Sequence, residues 1–165
     1  MPTTAVHLRL GRPEDARAIS LLARRVARRW ILPEQSHEAG QALLLRLGTR
    51  ALRERMREGQ RFHLAWLGEV LVGIAAMRGD SHLVHFFVGT RYQGRGIARR
   101  LWERAMADAV RRAGTGRFTL NATRCAVPVY RRFGFVPTGP EGFSPSGVLT
   151  TPMALETVPA RRAKA

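Results

Sequence analysis

His82-Leu-Val-His-Phe-Phe-Val-Gly-Thr-Arg-Tyr-Gln-Gly-Arg-Gly-Ile-Ala-Arg-Arg-Leu-Trp102 decides how this chain is read. An apolar strand over 82–88 feeds a loop through Gly89–Gly96. The loop opens directly into a helix with Ile97, Leu101, Ala105 and Ala109 on one face. A helix start carries backbone N–H groups without intrahelical partners and the positive end of the dipole, so it is an anion site by construction. Gly94 and Gly96 let the backbone approach phosphate oxygens with no Cβ in the way. The segment is not a nucleotide P-loop, because the Gly-Lys-Ser/Thr ending is missing, nor a dinucleotide G-x-G-x-x-G turn.

Working outward, Phe62–Leu67, a Gly68-Glu69 turn and Val70–Met77 predict a β-hairpin, and Gly79-Asp80 turns the chain into the strand just quoted. Upstream, residues 5–10 alternate as a short strand, and Gly11-Arg12-Pro13-Glu14-Asp15 stops it and starts a helix with Ile19, Ala23, Val26 and Trp30 at helical spacing. Pro33 ends that helix. Ser36 suits the N-cap of a second helix with Leu43, Leu44 and Leu47, interrupted at Gly48, and Thr49 that of a third with Leu52 and Met56, closed by Gly59. Downstream come a strand over 117–121, a short helix over 124–132 closed by Gly134, and final strands at Phe135-Val136 and 148–156 around a turn-rich Pro137–Gly147. The order predicts a mixed α/β domain around one central sheet. Residues 1–156 read as a single domain and 157–165 as a frayed basic tail.

The chain has 165 residues, 45% hydrophobic and 24% charged, a balance that excludes a disordered chain. No run approaches the roughly 20 apolar residues of a membrane span, and Met1-Pro2-Thr3-Thr4 shows no basic-then-apolar leader. A single cysteine, Cys125, excludes an intrachain disulfide and a multi-cysteine metal site, so a cytoplasmic protein without a metal is expected. The formal net charge is +16, and 27 of the 28 basic residues are arginine. That suits an anionic ligand. The arginines are spread along the chain singly or in adjacent pairs such as Arg24-Arg25, Arg99-Arg100 and Arg161-Arg162, with no longer run, as coding bias alone would leave them.

Gln93-Gly94-Arg95-Gly96-Ile97-Ala98 resembles the acetyl-CoA signature Q/R-x-x-G-x-G/A of the GCN5-related N-acetyltransferase (GNAT) superfamily, placed as there after a strand and at a helix start. Asn121-Ala-Thr-Arg-Cys-Ala-Val-Pro-Val-Tyr130-Arg-Arg-Phe-Gly-Phe135 resembles the family's second element, a strand end and a short helix with a tyrosine shortly before a hydrophobic-Gly-Phe sequence. The resemblance covers residues 5–156. It implies a mostly antiparallel twisted sheet of about six to seven strands, helices on both faces, and a splayed strand pair at the cofactor site. Ala98 for the commoner Gly, Phe133 for Leu, and Gly89-Thr90 for an acidic-Pro pair depart from the pattern without removing a group the chemistry needs.

The resemblance further implies acetyl transfer from acetyl-CoA, as co-substrate, to a primary amine. Main-chain groups of Phe86, Phe87 and Val88 would pair with the pantetheine arm, the N–H near Phe86 serving as a one-donor oxyanion site. Gln93, Gly94, Arg95, Gly96, Ile97, Ala98 and Arg99 would wrap the pyrophosphate, and Asn121 would add a polar contact. Tyr130 matches the tyrosine that protonates the departing thiolate, where a phenol of pKa near ~10 meets a thiol near ~8.5. Its bland alternative is a packed ring. His85 could deprotonate the amine, with a water relay as the default, but alternation puts His85 and Phe87 on the face opposite Phe86 and Val88 unless a bulge intervenes. Cys125, Trp30, Trp66 and Trp102 read as packed residues, His63 and His82 as structural, and Glu34, His37 and Glu38 as surface charge near the acceptor side. The rival readings are a basic nucleic-acid-binding module, against which no recognition motif is found, and a silent CoA-binding protein of the same fold. The acceptor stays open. No specific nucleic acid or membrane partner is expected, and the resemblance allows a homodimer.

Overall fold

The sheet grows from the apolar hairpin. A computed structural model describes residues 5–157; Met1–Thr4, on which the absent leader was read, and the tail beyond Thr157 lie outside the described residues. Strands β1 (Val6–Leu10), β2 (Arg61–Leu67), β3 (Val70–Arg78) and β4 (His82–Val88) form an antiparallel meander. Seven of the nine residues of β3 are buried, as both its faces are covered, which explains its unbroken apolar run. After β4 come β5 (Arg117–Ala122), β6 (Val136–Pro137), β7 (Gly142–Phe143) and β8 (Leu149–Glu156). The eight strands run β1-β2-β3-β4-β5-β8-β6, with β7 on β8. The sequence reading missed β7, whose two residues pair only with Thr150 and Leu149.

Helices cover both faces. On one lie α1 (Ala16–Trp30) and α3 (Thr49–Arg57), which bury Ile19, Leu22, Ala23 and Leu52 against Phe62, Leu64, Ile74 and Phe87. On the other lie α4 (Ile97–Ala113) and α5 (Val127–Arg132), over Phe118, Leu120, Phe135 and Met153. Trp102 anchors that core with ring centroids 5.2 Å from Phe118 and 5.1 Å from Phe135. Gly73 is needed for close approach, because a Cβ there would stand 2.7 Å from the Leu101 Cδ1 on α4.

Helix α2 (His37–Arg46) starts as read, with Ser36 Oγ accepting from the Ala39 N–H at 3.1 Å. Thr49 does not cap α3; Gly48 holds that position, with no side-chain cap, and Thr49 is the first helical residue. Between α1 and α2, Gln35 pairs with the β8 main chain: the Leu149 N–H donates to Oε1 (2.7 Å) and Nε2 to the Leu149 carbonyl (3.4 Å). Thr157, read as the start of the tail, donates its N–H to the Gly116 carbonyl. No helix among the described residues is long and apolar enough to cross a membrane.

Candidate active site

The site begins where two strands part. Strands β4 and β5 are parallel neighbours only through His82↔Thr119 and Leu83↔Leu120, and then diverge. The gap between them opens a cleft of about 570 Å³ that runs from the loop before α4, past α5, to α1, where Val26, Trp30 and Ile31 line it.

The parting leaves one edge of β4 without a partner, and its ladder with β3 tells which groups point there. The Gly89 N–H donates to the Val72 carbonyl (2.8 Å). Bonded and non-bonded pairs alternate along an antiparallel ladder. Ile74↔Phe87 is therefore bonded, whereas Ala75↔Phe86 and Gly73↔Val88 are not. The N–H and C=O of Phe86 and Val88 thus point away from β3, into the gap. The main chain of Phe87 is committed to β3; its ring, not its amide, reaches the cleft. The Val88 carbonyl is taken by the Gln93 side chain (Nε2 donating, 3.1 Å), which ties the loop to the strand end.

The loop has the conformation its glycines suggest. Gly94 (φ +77°) and Gly96 (φ +78°) are left-handed, and a Cβ on either would meet nothing within 4 Å. The glycines answer to backbone conformation, and the space beside them is free for a ligand. Among the described residues the N–H groups of 94–99 meet no acceptor; the first helical bond runs from the Arg100 N–H to the Gly96 carbonyl (3.1 Å). A row of free donors at a helix start fits a phosphate.

Tyr130, on α5, is 7% exposed and packs 5.9 Å from Phe86 and 6.5 Å from Phe133, centroid to centroid. It lines the cleft, and its hydroxyl has no side-chain partner among the described residues. Burial, and secondarily the neighbouring Cys125, push the phenol well above its ordinary range, so it stays protonated.

Of the residues singled out in the sequence, Phe86, Phe87, Val88, Gln93, Gly94, Gly96, Ile97, Ala98, Arg99 and Tyr130 line this cleft. Arg95 does not; it is exposed, with its guanidinium 5.5 Å over the Tyr92 ring. Asn121 is exposed and paired with Pro152 across β8, on the face opposite the inward Leu120 and Ala122. Thr123, just past the strand end, lines the cleft instead.

His85 is not in the cleft. Its neighbours Ala76↔His85 and Met77↔Leu83 leave Val84 as a bulge. Leu83 therefore faces α4 while His85 faces α1 and α3, stacked 6.0 Å from Phe87 and 6.5 Å from Phe62. Burial, then Arg55 and Arg46, depress its imidazole to about 3.

Trp30 and Cys125, read as packed residues, both line the cleft. Trp30 donates Nε1–H to Thr90 Oγ1 (3.2 Å) and lies under Arg29 at 4.4 Å. No local pattern marked it, because Trp30 reads as one more apolar repeat at the last residue of α1. Glu34, His37 and Glu38 are exposed. Among the described residues no group of three or more His, Cys, Asp or Glu side chains could hold a metal ion.

A family profile described as an acetyltransferase (GNAT) domain matches residues 31–157. Among solved structures the chain is similar to a GCN5-related N-acetyltransferase from Rhodopseudomonas palustris, at 23% identity over 94% of this chain and 98% of that one, with a TM-score of 0.79. It is similar to the PaiA N-acetyltransferase from Thermoplasma acidophilum, solved in complex with coenzyme A, at 15% identity over 92% and 99%, with a TM-score of 0.74. YncA from Salmonella typhimurium, solved with acetyl-CoA, is 18% identical over 98% and 99%, with a TM-score of 0.65. At these identities the likenesses show the fold. No curated protein sequence matches the chain.

Proposed function

The chain belongs to the GNAT acetyltransferase family, and from that premise we propose that it moves the acetyl group of acetyl-CoA onto a primary amine by direct attack. The observation that carries this reading is the outward-pointing main chain of Phe86 and Val88 along a gap that begins at free helix N–H groups and passes Tyr130. The two relatives solved with coenzyme A or acetyl-CoA support the same ligand.

In this reading the N–H groups of residues 94–99 hold the pyrophosphate, and the Phe86 and Val88 amides pair with the pantetheine arm. Acetyl-CoA supplies an activated thioester. The Phe86 N–H, fixed by the β3–β4 ladder, donates to the carbonyl oxygen as negative charge builds on it. One preorganised donor of this kind is worth about 10²–10³ in rate. The amine nitrogen forms the new C–N bond, the C–S bond breaks, and the Tyr130 hydroxyl gives its proton to the sulfur. Water in the open cleft takes the amine proton, because His85 lies behind Phe87 and holds its proton too weakly to serve near neutral pH.

The test is a screen of primary amines with acetyl-CoA as donor, following release of free CoA and the mass of the acetylated product. Acceptor-dependent CoA release is expected. A protein that neither binds acetyl-CoA nor releases CoA with any amine overturns the reading.

A further inference from the structure

The two ends of the cleft differ in chemistry. It passes through the sheet: Phe86, Val88, Ile97 and Tyr130 belong to the core under α4 and α5, whereas Val26, Trp30, Ile31 and Phe87 belong to the core under α1. Among the described residues its charged lining is Arg99 and Arg132. Both stand where α4 begins and α5 ends, with Arg99 Nη2 donating to the Arg132 carbonyl (3.5 Å). No aspartate, glutamate or histidine among the described residues lines the cleft. In the acetyl-transfer reading the free N–H groups of 94–99 take the pyrophosphate, and Phe86 and Tyr130 flank the thioester. That leaves the α1 end for the acceptor, and its wall is apolar.

Trp30 fixes that wall. Its indole Nε1–H donates to Thr90 Oγ1 (3.2 Å), and its carbonyl accepts from the Cys125 thiol (3.6 Å), so it is tied to both rims of the cleft. The Arg29 guanidinium lies 4.4 Å from the ring centroid. An indole face attracts a cation, but this ring already holds one, and a second positive charge across it is repelled. Glu141 sits beside Thr123 and Cys125 only through Arg124, which donates to it twice (2.7 and 2.6 Å). Glu34 is exposed and does not line the cleft. A second ammonium on the acceptor therefore finds no counter-charge at the α1 end. A carbon chain or ring finds Val26, Trp30, Ile31 and Phe87 to cover it.

Resting on the acetyl-transfer reading, we infer that the acceptor is a monoamine with an apolar body, an alkylamine or arylalkylamine, and that Trp30 and Ile31 select it. Polyamines and other multiply charged amines fall outside this class. The same wall serves the chemistry. Desolvation disfavours an ammonium, so an amine bedded among apolar side chains gives up its proton to water more readily. Its freed lone pair then forms the C–N bond as the C–S bond breaks.

The test uses n-hexylamine and 1,6-diaminohexane, identical but for the second ammonium, with acetyl-CoA and the intact protein. Corrected for the two equivalent amines of the diamine, kcat/KM is expected to be about tenfold or more higher for the monoamine, through KM. From ethylamine to hexylamine it should rise about fourfold per methylene, the scale of burying one CH₂. Trp30→Ala should flatten that rise. Ile31→Asp, which adds the missing carboxylate at a half-buried position, should shift the ratio toward the diamine about fivefold. Equal use of the two hexyl amines, a preference for the diamine, or a kcat/KM independent of chain length overturns the inference and leaves acetyl transfer intact. So do a chain-length slope and a diamine ratio that neither variant changes. Calorimetric titration of the CoA-loaded protein with N-hexylacetamide and N-acetyl-1,6-diaminohexane, the two products, decides the matter even if no amine is acetylated. Tighter binding of the neutral amide, weakened in Trp30→Ala, upholds the apolar subsite while the transfer reading fails. Equal binding of the two products, or binding of neither, overturns it.

Discussion

The rings of Phe86 and Tyr130 meet at 5.9 Å beside the point where β4 and β5 part, so a main-chain donor on one strand and a phenol on α5 share one wall of the cleft. The hydroxyl is dispensable to packing, since it has no side-chain partner among the described residues and the ring itself packs on Phe86, Phe133 and Phe135. Tyr130→Phe should therefore leave the melting temperature within a degree or two. If Tyr130 protonates the sulfur, turnover falls about 100-fold at unchanged KM for acetyl-CoA. Full turnover under conditions where chemistry limits the rate assigns the tyrosine to packing alone.

Gly96→Glu places a carboxylate where the phosphates would lie and a side chain on a residue at φ +78°. The conformational strain is about 1–2 kcal/mol, and nothing within 4 Å of the new Cβ adds a clash. The variant should fold, with a modestly lower melting temperature, and bind acetyl-CoA at least 100-fold more weakly by calorimetry. Retained affinity in a folded variant puts the phosphate cradle elsewhere.

Cys125 is exposed, is the only cysteine in the chain, and lines the cleft next to α5. Iodoacetamide should therefore add one carbamidomethyl group, readable by intact mass. Saturating CoA should slow the addition at least tenfold by covering the thiol. An identical rate with and without CoA means that the ligand does not pass this residue.

Acid should unfold the protein through two buried imidazoles. Burial lowers His63 to about 4, against a smaller opposing effect of Asp108, and lowers His85 to about 3. Each folded value lies below the unfolded value of ~6.5, so the unfolded chain binds more protons. Their stabilisation is complete above ~6.5 and is lost as pH falls toward 4 and 3. The slope is about 1.4 kcal/mol per pH unit for each histidine. Urea midpoints between pH 6.5 and 4.5 should fall accordingly, with half-buried His82, also lowered by burial, adding to the slope, and His63→Gln should make it shallower. A midpoint independent of pH in this range means that neither ring is kept neutral by the fold.

What the sequence conveyed and what it withheld follow from the range of the interactions. The hairpin, the Gly79-Asp80 turn and the strand–loop–helix around Gly96 were legible because periodicity and glycine chemistry are local. Alternation does place His85 and Phe87 opposite Phe86 and Val88, as the sequence suggests; what it could not show is the Val84 bulge, which puts Leu83 on the other face from His85. Thr123 was passed over for Asn121 because only the exact end of β5, at Ala122, decides which residue turns into the gap. The strand β7 depends on a partner several residues later, across a turn-rich stretch. Trp30 looked like one more apolar repeat of α1. Its position against Thr90, sixty residues on, is a fact of tertiary structure.

The strand β8 pairs with β5, β6 and β7, and Gln35 ties the α1–α2 connection to its first residue, 114 positions away. Without β8, the only strand that β5 pairs with is β4, through two register pairs. One wall of the gap is thus completed only by β8, the last strand in chain order among the described residues. A chain cut before Leu149 keeps the glycine loop and β4 but lacks the strand that pairs along the whole of β5. Enclosure of the gap waits on the docking of β8.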